Sequence, residues 1–275
     1  GTKLPILVAT NQAMLGSGST DSRRPDPNYS QLVGQVGVGG SSYNALQAKL
    51  EKRAGNGLNL LIGYTYQKSL DIASSSQGAA PQNSYNLAAE WAPSDYNKKH
   101  ALVASYVWEL PFGEGKKWLN THGVAFSIFG GWSTTGIVTI QSGFPFSVGL
   151  SGNISSSGVG ADRPNRIGKG SLSSSQRSVT HWLDSSAFTL PAQYTFGTSR
   201  RNILSGPGLM NWDQGLSRTI QTVDRQALQL RFDAFNSLNH PNFSNPAASW
   251  NLATFGHISS AADPRILQFA AKYIF

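Results

Sequence analysis

The sequence predicts an all-β fold: antiparallel membrane-spanning β-barrel strands, about seven or eight of them, with long loops at one end and short turns at the other. Three observations predict it. Apolar and polar residues alternate with a period of two over several stretches, giving each an apolar and a polar face. Charged residues are only 13% of the chain, about half the share of a soluble domain, while aromatics reach 11%. The connections between the stretches alternate short and long, which a soluble sandwich has no reason to do.

Taken in order, residues 1–30 hold the loop chemistry of Gly16-Ser17-Gly18-Ser19 and Arg23-Arg24-Pro25-Asp26-Pro27-Asn28, where Pro25 and Pro27 forbid a central strand. A weak strand is expected from Gln31 to Val38. From Tyr43 to Arg53, Leu46, Ala48 and Leu50 alternate with Gln47, Lys49 and Glu51, and Ala54-Gly55-Asn56-Gly57 reads as a tight turn. The returning strand, Leu58 to Lys68, carries Leu58, Leu60, Ile62, Tyr64 and Tyr66 on one face. A polar loop from Ser69 to about Lys98 precedes the strand His100 to Leu110, where Leu102, Ala104, Tyr106, Trp108 and Leu110 share a face.

The segment 111–123 reads as a moderate turn. A long strand follows from about Gly130 to Phe146, with Trp132, Val138 and Ile140 facing away from Ser133, Thr135, Thr139 and Gln141. Residues 149–208 form the largest irregular segment, a length that signals function or unrecognised elements. Strands from Met210 to Thr222 and from Arg225 to Phe235 meet at a tight connection, Val223-Asp224. In the second of them Leu228, Leu230, Phe232 and Ala234 oppose Gln229, Arg231 and Asp233. The loop 236–264 leads to the last strand, where Leu267, Phe269, Ala271, Tyr273 and Phe275 oppose Gln268, Ala270 and Lys272. Trp108, Phe112, Trp132, Tyr273 and Phe275 lie near strand ends, where an interfacial aromatic girdle belongs.

Several chemistries lack their sequence signatures. There is no cysteine, hence no disulfide framework and no thiolate nucleophile. No run of about 18 apolar residues exists to form a spanning helix, which leaves a barrel open because its strands need only about 9 to 11 residues. The net charge of +8 comes from Lys and Arg scattered along the chain rather than gathered in a stripe, so no nucleic-acid partner is expected. Such a field attracts anions, lipopolysaccharide among them.

Gly113-Glu114-Gly115-Lys116-Lys117 lacks the upstream Gly and the Ser or Thr of a phosphate loop. The histidines at 100, 122, 181, 240 and 257 have no ligand spacing. Neither metal nor cofactor is expected. His181 and Asp184 sit near serines without a Gly-x-Ser-x-Gly elbow, so no enzyme activity is expected either. For ligand contact the long 149–208 segment offers Arg163, Arg166, Trp182 and Tyr194, residue types common in recognition. The competing reading packs these side chains against their own loop.

A set of short motifs spans nearly the whole chain. It comprises Ser42-Tyr43-Asn44-Ala45-Leu46-Gln47, Tyr64-Thr65-Tyr66-Gln67-Lys68-Ser69-Leu70-Asp71, Leu110-Pro111-Phe112-Gly113, Gly130-Gly131-Trp132 and Gln141-Ser142-Gly143-Phe144-Pro145-Phe146. Beyond these come Arg201-Asn202-Ile203-Leu204-Ser205-Gly206-Pro207-Gly208, the run Phe235 to Phe243, Thr254-Phe255-Gly256 and Tyr273-Ile274-Phe275. In order and number they resemble the C-terminal barrel of TonB-dependent outer-membrane receptors of the Oar-like type, which carry a carboxypeptidase-regulatory-like domain. The resemblance implies one domain, 1–275, that is the C-terminal portion of a barrel of about 22 strands with a plugged lumen. Gly1 then reads as an entry point partway through the barrel, with plug and N-terminal domains outside this chain.

It further implies import of a scarce solute into the periplasm, with TonB reached through the missing N-terminal part and lipid and lipopolysaccharide around the wall. The terminal Phe275, with Tyr273 and Phe269, resembles the signal read by the barrel-assembly machinery. Two other readings stay open from the residues: a self-contained small outer-membrane barrel with an adhesin or structural role, and a soluble extracellular β-rich binding module.

Overall fold

The computed structural model describes residues 3–53, 57–75, 80–121, 123–222 and 226–275. Strands β1 (Leu4–Ala9) and β2 (Val33–Gly39) pair antiparallel as a small separate sheet. The main sheet contains β3 (Ser41–Arg53), β4 (Leu58–Asp71), β5 (His100–Glu109), β6 (Trp132–Gln141), β7 (Leu209–Gln221), β8 (Ala227–Phe235) and β9 (Ile266–Ile274). Each pairs antiparallel with the next, so the path β3 to β9 is an unbroken meander, and the short pair Ala92–Pro93 adds to the end of β4. Among the described residues β3 and β9 each pair on one side only.

Register turns the local alternations into a single surface. Leu267, Phe269, Ala271 and Tyr273 stand opposite Ala234, Phe232, Leu230 and Leu228. These in turn stand opposite Gln214, Leu216, Arg218 and Ile220. The row continues through Trp132, Thr134, Gly136, Val138 and Ile140 to Trp108, Tyr106, Ala104 and Leu102. It ends on Leu58, Leu60, Ile62 and Tyr64, then Leu50 and Ala48. Residues directly opposite in a ladder share a face, so all the apolar sets expected strand by strand lie on one side. Gln47, Lys49, Glu51, Thr65, Ser105, Thr135, Thr139, Asp213, Gln229, Arg231, Asp233, Gln268 and Lys272 lie on the other.

Gly136 shows how tightly that apolar face is filled. A Cβ there would come within 2.6 Å of the Tyr106 ring, which covers the glycine from the neighbouring strand. An aromatic laid over a strand glycine restores the contact the missing side chain forfeits.

The two ends of the sheet differ as expected. Residues 3–40, 72–75, 80–99, 142–208 and 236–265 all lie at one end, while Gly57, 110–121, 123–131, Thr222 and Gln226 lie at the other. The tight turns expected at Ala54–Gly57 and Val223–Asp224 lie outside the described residues, Gly57 excepted, as do Arg225 and His122. Tyr64, Tyr66 and Trp212 stand toward the loop end of the apolar face, and Trp108, Trp132, Tyr273 and Phe275 toward the turn end.

Four expectations are corrected. Residues 1–30 are not loop throughout, since Leu4–Ala9 is a strand; Pro5 is accommodated beside a register shift between Leu4 and Pro5. The long strand expected to reach Phe146 ends at Gln141. Gly143 packs so closely on the Gly206 carbonyl that a Cβ would lie 1.9 Å from it, and Pro145–Phe146 pairs instead with Leu204–Ser205. The moderate turn at 111–123 extends to 131 and contains a short helix, α1 (Val124–Phe129). The 149–208 segment is not simply irregular: Asn165–Arg166 pairs with Phe188–Thr189.

The buried apolar core is in the loops rather than in the sheet. Val148, Leu183, Ala187, Phe188 and Leu204 form it, with Phe146, Trp182, Ile203, Trp250 and Phe255 packed around. The sheet's apolar face is exposed instead: Phe269 is 60% and Leu267 70% accessible. A face this large and this apolar requires a nonaqueous neighbour.

Ile62 lies midway along β4 on the apolar face and Thr65 near it on the polar face. In lipid, Ile62→Arg is expected to destabilise the folded protein by about 2–4 kcal/mol, and Thr65→Arg by less than about 1 kcal/mol. Urea unfolding in vesicles, read by tryptophan fluorescence, measures both; equal costs would contradict the assignment of faces.

Candidate functional site

The described residues of 3–40, 72–99, 142–208 and 236–265 gather into a cap over the loop end of the sheet, held by charged and polar side chains, several of them buried. Arg201 donates to the Asp71 carboxylate at the end of β4, to Asp95 at 3.1 Å and to the Ser74 hydroxyl at 3.2 Å. Beside it, Asn202 Nδ2 donates to the Pro93 carbonyl at 2.7 Å and to Asp95. The Asn202 amide N–H donates to the Ser147 hydroxyl at 3.0 Å. Asn202 adopts φ 53°, the left-handed region that asparagine tolerates better than most residues. One dipeptide therefore ties the 72–99, 142–148 and 199–208 segments together.

A second clasp lies deeper. Arg163 pairs with Glu90, and both are almost fully buried. The Gln82 side chain accepts from the Arg163 amide at 2.8 Å and donates to the Gly197 carbonyl at 3.1 Å. Asp162 accepts from the Ser155 amide at 2.7 Å and the Ser155 hydroxyl at 2.6 Å. Charges buried in this way are tolerated because Arg163 and Glu90 are paired with each other and Asp162 is hydrogen-bonded.

A third clasp fixes the entry to β9. Asn236 donates to the carbonyls of His240 and Asp263 and accepts from the His240 amide at 3.0 Å. Asn239 accepts from the Arg265 amide at 3.0 Å, and Asn242 from the Met210 amide at 2.9 Å. Asn236 and Asn239 again have positive φ, at 48° and 52°. The polar residues of the Phe235–Phe243 run thus link the starts of β7 and β9 to the end of β8.

Between the first two clasps lies a cleft of about 370 Å³, lined by Ser74, Glu90, Asp95, Asp162, Arg163 and Arg201 among others. On the polar side of the sheet a larger concavity of about 810 Å³ is lined by Lys49, Glu51, Arg53, Asp213, Arg231 and Asp233 together with small and apolar neighbours. Glu51 accepts from Lys49 at 3.0 Å and Arg53 at 2.8 Å, and Arg231 donates to Asp233 at 2.7 Å. The polar face is therefore concave and carries charges of both signs. Chemically such a surface holds water and polar solutes.

The four ligand-contact candidates are not brought together. Arg163 alone lines the cap cleft, with its guanidinium committed to Glu90. Arg166 is exposed and donates to the carbonyls of its own loop, Gly168 at 2.8 Å and Lys169 at 3.2 Å. Trp182 packs edge-on to Phe243 at 6.5 Å, with Arg177 over its ring at 5.2 Å. Tyr194 has φ 62°, and its amide donates to the Ile154 carbonyl at 2.9 Å. Asp184 caps the turn Ser185–Ala187 by accepting from the Ser186 amide at 3.0 Å.

Arg201, Asn202, Asp71, Asp95 and Glu90 were missed as a constellation. Their only sequence signal is that Arg201-Asn202 and Asp71 sit inside the motifs shared with the barrel family; the partners are remote in sequence.

At the opposite end, Phe275 closes the chain at 94% exposure, its ring 6.5 Å from that of Tyr273. Tyr273 donates from its hydroxyl to the Gln226 side chain. The Phe269 ring lies tilted at 4.8 Å from that of Phe232, which lies 6.2 Å from Trp132. The three residues of the expected assembly signal therefore share one outward aromatic band.

A family model described as an outer membrane beta barrel domain matches residues 1–268. Comparison with curated proteins and with solved structures found no match.

Removing one partner of a buried pair leaves the other charged and unpaired, a cost of about 3–5 kcal/mol. Arg163→Ala is accordingly expected to loosen the cap while leaving the sheet folded. Limited proteolysis should then cut within 72–99 or 149–208 well before it cuts the wild type. Cleavage at the wild-type rate would contradict the clasp.

Proposed function

The chain belongs to the outer membrane beta barrel domain family, whose place is the bacterial outer membrane; on that premise we propose that it is part of the barrel wall of a TonB-dependent receptor importing a scarce solute into the periplasm. The observation that carries this reading is the open sheet of seven strands with one apolar and one polar concave face. A self-contained small barrel needs β3 to pair with β9, yet these are the two outer strands of the path. Lipid offers no partner to the free edges, and in this reading further strands complete the wall. A barrel enlarged in that way has room for a plug.

In this reading the loop end is extracellular and the turn end periplasmic. The cap and the concave polar face form part of the solute's route, while a plug and the TonB contact belong to other parts of the receptor. Lipopolysaccharide meets the apolar face on the extracellular side. The role of this chain is scaffold and loop surface, and it needs no catalyst or cofactor.

The test compares wild-type cells, cells lacking the gene and cells lacking TonB, scored for solutes removed from the medium. At least one solute is expected to remain in the medium in both mutants. A gene deletion that spares every TonB-dependent uptake would overturn the transport reading.

We also assign Phe275, with Tyr273 and Phe269, as the signal to the barrel-assembly machinery. Deleting Phe275 from the intact protein is expected to lower its level in the outer membrane. An undiminished level in isolated outer membranes would sink that assignment.

A further inference from the structure

The turn end carries an element that the barrel reading does not use. Helix α1 has the sequence Val-Ala-Phe-Ser-Ile-Phe, with no charged residue from Gly123 to Gly131. Val124 is 79% exposed, Ile128 53% and Phe129 59%. A helix apolar around most of its circumference belongs in a core or in lipid, and this one is in no core.

Its position is set by two side chains of the apolar face. Arg218 and Trp132 are register partners on β7 and β6. Arg218 donates to the Ser127 carbonyl and, at 3.1 Å, to the Ile128 carbonyl. The Trp132 indole N–H donates to the Ile128 carbonyl at 2.9 Å, and the Arg218 guanidinium lies 6.0 Å from the Trp132 ring centre. The C-terminal carbonyls of a helix are costly to place in a medium of low polarity unless they are bonded. Here a cation and an indole from the wall itself bond two of them. The same contacts give Arg218, a charged residue on an apolar face, its partners.

Gly130 permits the close turn between helix and strand, since a Cβ there would lie 2.7 Å from the Phe126 carbonyl. The connector before the helix continues the theme. Trp118 is 49% exposed, and the Lys117 ammonium lies 4.9 Å from its ring centre. Exposed tryptophan, a cation able to reach phosphate and an apolar helix are the parts of an interfacial anchor.

We propose that the connector 110–131 is a membrane-interface anchor, in which α1 lies against the outside of the wall and inserts into the headgroup and acyl boundary of the periplasmic phospholipid leaflet. The occupant is a phospholipid surface because the helix is continuous with the apolar wall through Trp132, Phe232 and Phe269. Arg218 fixes the helix there, and Lys117 and Trp118 hold the headgroup level. This inference rests on the outer-membrane placement of the wall.

Residues 1–275 contain no cysteine, so an introduced one is the only thiol of this segment, and any thiol elsewhere in the intact protein is first replaced by serine. Ile128→Cys and, as wall control, Ile62→Cys would be labelled with an environment-sensitive fluorophore in the intact protein. The labelled proteins are then reconstituted in vesicles of phosphatidylethanolamine and phosphatidylglycerol. The label at 128 is expected to lose most of its emission to lipids spin-labelled near the headgroup, to lose little to aqueous iodide, and to shift to the blue. The label at 62 is expected to be quenched most by lipids spin-labelled deep in the chain.

Adding Arg218→Leu should abolish the lipid quenching at 128 and spare that at 62. Iodide quenching at 128 with lipid quenching at 62 overturns the anchor alone, and so does protection of 128 from both quenchers, which would mean a protein covers the helix. An unchanged signal in Arg218→Leu overturns the assigned role of Arg218. Loss of lipid quenching at 62 as well would instead overturn the membrane placement of the wall.

Discussion

Hydrocarbon offers no hydrogen-bond partner to a backbone N–H or C=O, and that constraint organises the molecule. From β3 to β9 each strand is bonded to its sequence neighbour, so the ladder satisfies the backbone between them and leaves only the outer edges of β3 and β9 to be paired. Because the ladder is antiparallel with a side-chain period of two, it also sorts residues: one slip in register would turn a strand's apolar set toward the polar side. The expected apolar sets keep to one face, although Lys52, Gln214 and Arg218 also lie on it and Leu61, Val103 and Ile137 lie on the other. Leu228, Leu230 and Phe232 stand between apolar neighbours of β9 and the Arg218 and Leu216 positions of β7. Arg218, the one guanidinium on that face among the described residues, is hydrogen-bonded to the α1 carbonyls of Ser127 and Ile128.

The same constraint divides the labour between sheet and loops. A membrane wall gains its apolar contacts from lipid, so it needs no buried core of its own, and the core appears in the cap instead. The cap lies beyond the apolar face and must be held together as a soluble domain is. Its charges are paired across segments far apart in sequence: Arg201 with Asp71 and Asp95, Arg163 with Glu90. Such pairs add little net stability compared with an apolar replacement, but they penalise any arrangement that separates them. They hold long loops in one geometry at the mouth of a polar concavity.

What was legible in the sequence follows from the range of each interaction. The strand faces were legible because period two is local: Leu102, Ala104, Tyr106 and Trp108 announce their shared side within one strand. The alternation of connections gave the two ends. The cap was not legible, since nothing near Arg201 reveals that Asp71 will be its partner, although the motifs already held both residues. Helix α1 escaped because six apolar residues between glycines carry neither a strand's alternation nor a helix's length. Strand β1 was hidden by Pro5, which argues against a strand except beside an irregularity such as the one found there. Trp182, Arg166 and Tyr194 were chosen by residue type alone, and type does not bring residues together.

The central claim is that the apolar face meets lipid and the polar face meets water. It is tested most directly by a spin-label scan along β8 in reconstituted vesicles, measuring accessibility to oxygen and to a water-soluble paramagnetic complex. Labels at Leu228, Leu230, Phe232 and Ala234 should favour oxygen, and labels at Gln229, Arg231 and Asp233 should favour the water-soluble complex, with a clean period of two. Uniform accessibility to the water-soluble complex, or a period other than two, would contradict the account.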